Sequence, residues 1–280
     1  MLASSETRKF AAEHAQKLLG QLAFEINRVT KSRNPESVRD LRVSLRRFSQ
    51  TLQLFRDFFP GGKMHKIGLR VKKVMRSADE LRNFDTTLRL LSKAHRSGSS
   101  ALRSKLQARR KDSERLLVGL LKRWTERQSS VKWRASLQAA VAKSEGESAQ
   151  GTRKLTPRLA AKFLEKGKRA ARANASPRDL QACRTAARKF RYALELLGPV
   201  GRSPLNAWLP DIKRAQTMLG EITDCQAARD LVSSYPAADR FDSWLKKRQR
   251  KAANAFGQFW EETFANRVVN AQPKKPPGRI

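Results

Sequence analysis

Residues 184–197 read RTAARKFRYALELL, and residues 42–55 read RVSLRRFSQTLQLF, a second copy with its cations, phenylalanine and leucines at matching spacing. At about 100° per residue, each copy is one helix carrying two adjoining stripes. In the earlier copy Leu41, Leu45, Phe48, Leu52 and Phe55 form an apolar stripe, with Arg39, Arg42 and Arg46 in a narrow band beside it. In the later copy Cys183, Ala187, Phe190, Leu194 and Leu197 repeat the stripe, and Arg184, Arg188 and Arg191 repeat the band. A band flanking the core seam belongs at the rim of a helix bundle. A charge run that only solvates a surface gives no reason for that band to recur in register.

Working outward, period-3.6 patterns fill the chain and alternating β-branched runs are absent, so the fold class is all-α. A first helix spans about Glu6 to Val29, and Asn34-Pro35-Glu36-Ser37 ends it and starts the next, with Pro35 suited to a first turn. Phe59-Pro60-Gly61-Gly62 stops the motif helix. A third helix covers Lys63 to His95, and a fourth follows the turn at 97–100 and reaches about Glu126. Residues 143–156, rich in Ser, Gly and Glu, read as a linker. Thr156-Pro157 opens a helix to about Arg172, and Ser176-Pro177 opens the second motif helix, ended by Gly198 to Pro204. Leu205 to Ser234 reads as two shorter helices, and Pro236 precedes a last one to about Phe264. The halves share an order of elements. The organisation expected is a bundle over residues 1–142, a linker, a second bundle over 157–266 and a disordered basic tail over 267–280.

Sixty Lys and Arg against 25 Asp and Glu give a net charge of +35, far above the magnitude of about 2 to 8 that solubility asks of a small domain. So much like charge opposes compaction. A strongly anionic partner offsets it, which points to nucleic acid, an anionic membrane surface or a polymer such as polyphosphate. With 39% hydrophobic residues the chain has material for one large core or two modest ones. Two cysteines, Cys183 and Cys225, make no disulfide framework and no metal-ligand pair. No secretory leader and no run of about 18 apolar residues is visible. A reducing, cytoplasmic setting is the expectation.

RTAARKFRYALELL with LGEITD downstream, and RVSLRRF followed by LRNFD, resemble the CHAD family, the helical domain named for its conserved histidines; the resemblance covers roughly residues 6 to 265. It implies two four-helix bundles related by a pseudo-twofold around a basic cavity, and non-catalytic binding of inorganic polyphosphate. Carried over by position, it implicates Arg42, Arg46 and Arg47 in the first motif and Arg184, Arg188, Lys189 and Arg191 in the second. Arg39 and Gln181 stand where the family usually has histidine. A histidine there gains charge near pH 6.5, whereas Arg39 is a permanent cation and Gln181 only an amide. Binding without a steep fall between pH 5.5 and 8 is therefore expected.

Polyphosphate presents no base edges, so its recognition rests on charge-assisted hydrogen bonds and counterion release. Arginines four residues apart lie about 6 Å apart along a helix, a spacing suited to successive phosphates. Lys66, Arg70 and Lys73 extend the positive lining in the first half, and Lys162, Lys166 and Arg169 share their spacing in the second. A solvated face explains these six as well as a site does. Asp85 and Asp224 are assigned to helix capping or to pairing with a motif arginine.

An enzyme is not expected. His14, His65 and His95 are isolated, there is no nucleotide-binding G-x-x-x-x-G-K-S/T loop, and no cofactor or metal is called for. The chief alternative is a nucleic-acid-binding protein, which the charge favours, although no familiar DNA or RNA motif is present. Trp124, Trp133, Trp208, Trp244 and Trp260 sit within amphipathic patterns and belong to the core. Association with polyphosphate granules is compatible with the first reading, while an interfacial membrane helix ranks last.

Overall fold

The computed structural model describes residues 4–56, 59, 61–94, 100–142, 155–201, 204–235 and 238–265. The greater part of the expected linker and the whole of the expected tail lie outside them. Among the described residues there is no strand. The helices are α1 (Ser4–Lys31), α2 (Pro35–Leu54), α3 (Gly61–Ala94), α4 (Ser100–Glu126), α5 (Ser129–Ala142), α6 (Leu155–Ala170), α7 (Pro177–Gly201), α8 (Leu209–Val232) and α9 (Asp239–Trp260).

The chain divides into two compact units. The first is Met1–Arg153 with Asp230–Phe241, and the second is Lys154–Arg229 with Asp242–Ile280. In the first, α1 packs against α2, α4 and α5, α2 against α3, and α3 against α4. The motif helix α2 starts as its sequence dictates. Asn34 caps it by accepting from the Ser37 N–H at 2.7 Å, and Pro35 occupies the first turn, where its missing N–H costs nothing. Leu41, Leu45, Phe48 and Phe55 are fully buried and Leu52 nearly so. Helix α5 is an addition to the sequence reading. Trp133 and Leu137, four residues apart, are its buried anchors, with Trp133 edge-on to Trp124 at 4.3 Å and stacked on Phe48 at 6.2 Å. Gln128 turns the chain between α4 and α5 in the left-handed region, at φ 49°.

In the second unit Ser176 and Asp179 form a capping pair at the start of α7. The Asp179 N–H donates to Ser176 Oγ at 3.1 Å, and that hydroxyl donates back to the carboxylate at 2.6 Å. The core joins Phe163 and Leu164 of α6, Cys183, Ala187, Phe190 and Leu194 of α7, Ile212, Leu219 and Ile222 of α8, and Phe256, Phe259, Trp260 and Phe264 beyond. Gly167 makes room for this core, because a Cβ there would lie 1.7 Å from the Trp260 ring. Two expectations change. Leu209–Val232 is one helix, preceded by a short 3₁₀ turn over Pro204–Trp208, because Leu219 and Ile222 on either side of Gly220 share one buried stripe. Helix α7 continues through Gly198-Pro199 to Gly201. Leu197 is half-buried, and so are Trp208 and Trp244, whereas Trp124, Trp133 and Trp260 are buried.

Candidate functional site

Each motif helix turns two different flanks outward, and the cations named from sequence divide between them. In the first unit Arg42 and Arg46 face α3. Arg42 directs Nε at 2.7 Å and Nη2 at 2.5 Å to Asp79 Oδ1, and Arg46 Nη2 lies 4.0 Å from the same oxygen. The Arg42 side chain is only 11% exposed against 42% for Asp79, so the carboxylate sits at the solvent rim and holds the guanidinium against the bundle. Arg39 and Arg47 are exposed, and Arg47 lies on the other flank, towards α1.

That flank opens into a groove of about 510 Å³ between α1 and α2, lined by Gly20, Gln21, Phe24, Glu25, Asp40, Val43, Ser44 and Arg47. Its lining sets two acids, Glu25 and Asp40, against Arg47. Asp40 accepts from Arg28 Nη2 at 2.6 Å, and Glu25, 3.3 Å from Arg28 Nε, has its pKa raised by burial against the opposing pull of Arg28. Phe24 and Val43 expose apolar surface there. His14, half-buried on α1 and stacked on Phe10 at 5.8 Å, has its pKa lowered by burial and then by the charges of Lys17 and Arg47.

The second unit contains the equivalent groove with inverted chemistry. Between α6 and α7 a cleft of about 360 Å³ is lined by Leu159, Lys162, Lys166, Arg178, Gln181, Ala182, Thr185, Ala186 and Lys189. The register that places Arg42 on Arg184 also places Gly20 on Lys162, Phe24 on Lys166, Asp40 on Ala182 and Arg47 on Lys189. The fold thus supplies the same groove twice, but Lys162, Lys166, Arg178 and Lys189 line the second with no acid among them. Among these, only Lys166 has a close acid, Glu165 at 3.0 Å. Gln181, exposed, lies in this lining and adds amide donors. Arg169 points elsewhere and pairs with Glu165 at 3.2 Å.

Arg184, Arg188 and Arg191 are half-buried on the opposite flank of α7. Arg191 Nε and Lys213 Nζ approach the same Glu195 oxygen at 3.5 and 4.0 Å, so in this unit too a motif arginine shares a carboxylate with a second cation. Lys66, Arg70 and Lys73 are exposed on α3, but not beside the motif arginines. Asp79 is six residues after Lys73, about 120° around the helix, and Arg70 and Lys73 line a separate cleft against α4. Asp85 does not pair with a motif arginine; it accepts from Arg110 Nε at 2.6 Å, and Arg110 Nη1 donates to Glu114 at 2.6 Å. Asp79, six residues earlier, takes the role expected of Asp85.

Sequence reasoning missed Arg178, which precedes Gln181 by one turn and shares its face, and it missed Asp79. Neither cysteine is a ready nucleophile. Burial pushes the Cys183 thiol up to about 12 and the Cys225 thiol to about 11. Among the described residues there is no cluster of three His, Cys, Asp or Glu able to hold a metal ion, and no helix long and apolar enough to cross a membrane.

Comparison with known proteins gives a consistent result. The family model of the CHAD domain matches residues 13–233. The crystal structure of the CHAD domain from the plant Ricinus communis aligns with 94% of this chain and 89% of its own, at 18% identity and a TM-score of 0.69. PptA from Streptomyces chartreusis aligns with 91% of this chain and 98% of its own, at 15% identity and a TM-score of 0.64. At such identities the likeness to these two structures is one of fold. No curated protein matches the sequence.

Proposed function

Because the chain belongs to the CHAD domain family and carries a groove lined by four cations and no acid on its second motif, we propose that it binds inorganic polyphosphate without transforming it. The observation that carries the reading is the contrast between the paired grooves. Lys162, Lys166, Arg178 and Lys189 surround the second with no acid in the lining, where the first places Glu25 and Asp40. Place in the helix pair is common to both, and the difference lies in the charge of the lining.

Along α7, Arg178 to Lys189 spans eleven steps, about 16 Å at 1.5 Å per residue. Lys162 and Lys166 form the opposite wall on α6, antiparallel to α7 across a short connection. A linear phosphate chain lying in the groove meets lysine point charges, the Arg178 fork and the Gln181 amide in succession, each hydrogen bond assisted by charge. Helix flanks carrying Arg42 and Arg46, and Arg184, Arg188 and Arg191, add further cations. Asp79 sets the orientation of the Arg42 fork before any ligand arrives, which lowers the ordering cost of binding. Arg39, Arg47 and Lys66 contribute to the field as exposed cations.

A nucleic-acid ligand is the competing class. It is disfavoured by the lining of the second groove, which contains no aromatic face on which a base could stack. The deciding experiment is competition: labelled long-chain polyphosphate bound to the full chain, challenged with unlabelled polyphosphate, duplex DNA and RNA at matched phosphate concentration. Displacement by polyphosphate at least tenfold more effective than by nucleic acid is expected, and equal displacement overturns the reading. Recruitment to polyphosphate granules in the cytoplasm follows from the same chemistry. A fluorescent fusion whose distribution ignores the presence of the polymer would remove that extension.

A further inference from the structure

The seam between α3 and α4 contains two kinds of arginine. Midway along it Arg110 is neutralised on both sides, by Asp85 and by Glu114, at 2.6 Å each. Nearer the start of α3 and the end of α4 the seam opens into a cleft of about 400 Å³, lined by Arg70, Lys73, Val74, Leu120, Arg123, Trp124, Arg127 and Ser129. Spacings of three and four residues place the α3 contributors on one stripe and the α4 contributors on another. Val74 and Trp124 are the buried floor, and Arg70, Lys73, Arg123 and Arg127 are exposed walls. No acid lines the cleft. Among the described residues none of the four cations has an ion-pair partner, in contrast to Arg110 on the same seam.

Four like charges around one cleft repel one another, and nothing in the lining offsets them. We propose that this cleft is a separate oxyanion site that takes a short linear condensed phosphate, free or as a segment of a longer polymer. It rests on the polyphosphate reading for the choice of ligand, not for the existence of the site. Its size falls in the range of small-molecule pockets, about 300 to 1,000 Å³. The floor favours an inorganic ligand over a nucleotide. Trp124 is buried, packs edge-on against Trp133 at 4.3 Å and donates Nε1–H to Ser130 Oγ at 2.9 Å, so its ring offers no free face for a base. The cleft lies about a third of a turn around α3 from the Asp79 side that holds Arg42. A long chain therefore has two distinct points of attachment, and its avidity exceeds that of either alone.

The test uses the full chain and inorganic tripolyphosphate in isothermal titration calorimetry at low salt. Arg123→Ser/Arg127→Ser is compared with the wild type and with the second-unit variant Arg178→Ser/Lys189→Ser. The expected result is that R123S/R127S loses one tripolyphosphate equivalent per chain, or binds it at least about tenfold more weakly, charged hydrogen bonds being worth roughly that much each. It should keep the equivalent that R178S/K189S loses. The lysine variant R123K/R127K, which preserves charge and stem packing, should keep binding and guards against a misfolded serine variant. Unchanged stoichiometry and affinity in a folded R123S/R127S overturn the proposal. So does displacement of the R123S/R127S-sensitive equivalent by single-stranded DNA as readily as by tripolyphosphate. If instead R178S/K189S leaves long-chain polyphosphate binding intact while R123S/R127S abolishes tripolyphosphate binding, the groove-based reading fails and this one stands.

Discussion

Neutralising the second-unit groove gives the sharpest quantitative consequence. Replacing Lys162, Lys166, Arg178 and Lys189 by glutamine keeps side-chain length close to native and removes four charges from a cleft that contains no acid. Each phosphate neutralised by a cation steepens the dependence of log K on log salt by about 0.7 for a single-stranded polyanion. Four cations are thus worth about 2.8 in slope, or about 2.1 if the Lys166 charge is spent on Glu165, 3.0 Å away. Extrapolated from 1 M to 0.1 M salt, the same figures make the variant about 10²- to 10³-fold weaker at 0.1 M, with the difference closing towards 1 M. Fluorescence anisotropy of end-labelled long-chain polyphosphate, titrated at several salt concentrations, reads slope and affinity together. The paired groove supplies the converse. Gly20→Lys/Phe24→Lys places lysines at the positions of Lys162 and Lys166, and should steepen the slope by up to about 1.4. Phe24 is 63% exposed, and a Cβ on Gly20 meets only Arg134, at 3.8 Å, so the backbone has room for both changes. An unaltered slope in the glutamine variant refutes the groove as a phosphate contact, whatever happens to affinity.

Three further outcomes follow from packing and charge. Gly167→Ala should cost about 3 kcal/mol or more, at or beyond the upper end of overpacking, because its Cβ falls 1.7 Å from a Trp260 ring that Phe163 and Phe264 hold at 5.2 and 4.8 Å; Gly220→Ala, with nothing within 4 Å, should gain up to about 1 kcal/mol, and urea denaturation that ranks the two alike contradicts the account. Asp79→Asn should remove the carboxylate charge beside Arg42 and Arg46, lowering stability by about 1 kcal/mol while steepening the salt slope of polyphosphate binding by about 0.7; an unchanged slope would place the Arg42 flank outside the contact surface. His14 has a lowered folded pKa, so the unfolded chain takes up the proton first: its contribution to stability is full above the ordinary value near 6.5 and is lost as pH falls from there through the folded value. His14→Gln should therefore flatten the decline in melting temperature between pH 7 and 5.5, and a decline of the same steepness would assign it to other groups.

What the sequence could and could not disclose divides along a physical line. Burial is written in periodicity, so the stripe from Leu41 to Phe55 and its copy from Cys183 to Leu194 located the core before any coordinates. Caps are written in composition, as Asn34-Pro35 and Ser176-Pro177 show. Helix α5 carries two strong anchors among its described side chains, Trp133 and Leu137, too few for periodicity to mark it, and Leu209–Val232 is one helix because its buried stripe runs on through Leu219 and Ile222. The partners of charges are a different matter. Asp79 and Asp85 are six residues apart on one helix and equally plausible on paper, yet one meets Arg42 and the other Arg110. Which of them an arginine meets depends on the rotation of α3 against two neighbours, a quantity no single helix encodes.

The same limit explains why the repeat misled as well as guided. Aligning the motif helices made the two copies look interchangeable, since their cations recur in register. The two copies differ in charge one flank away and on the preceding helix, where Gly20, Phe24 and Asp40 stand against Lys162, Lys166 and Ala182. Burial demands that both halves keep leucine and phenylalanine on the seam, because a cavity there costs several kcal/mol. It places no such demand on the groove, whose lining reaches solvent and whose substitutions are nearly free in stability. A duplicated fold is therefore held alike in its core while its two grooves drift in charge, and an acid-free groove and an acid-lined groove can coexist on one scaffold. The grafted lysines test that directly: if equivalent position is enough, two substitutions in the first groove will gain up to about half of the slope that four substitutions in the second remove.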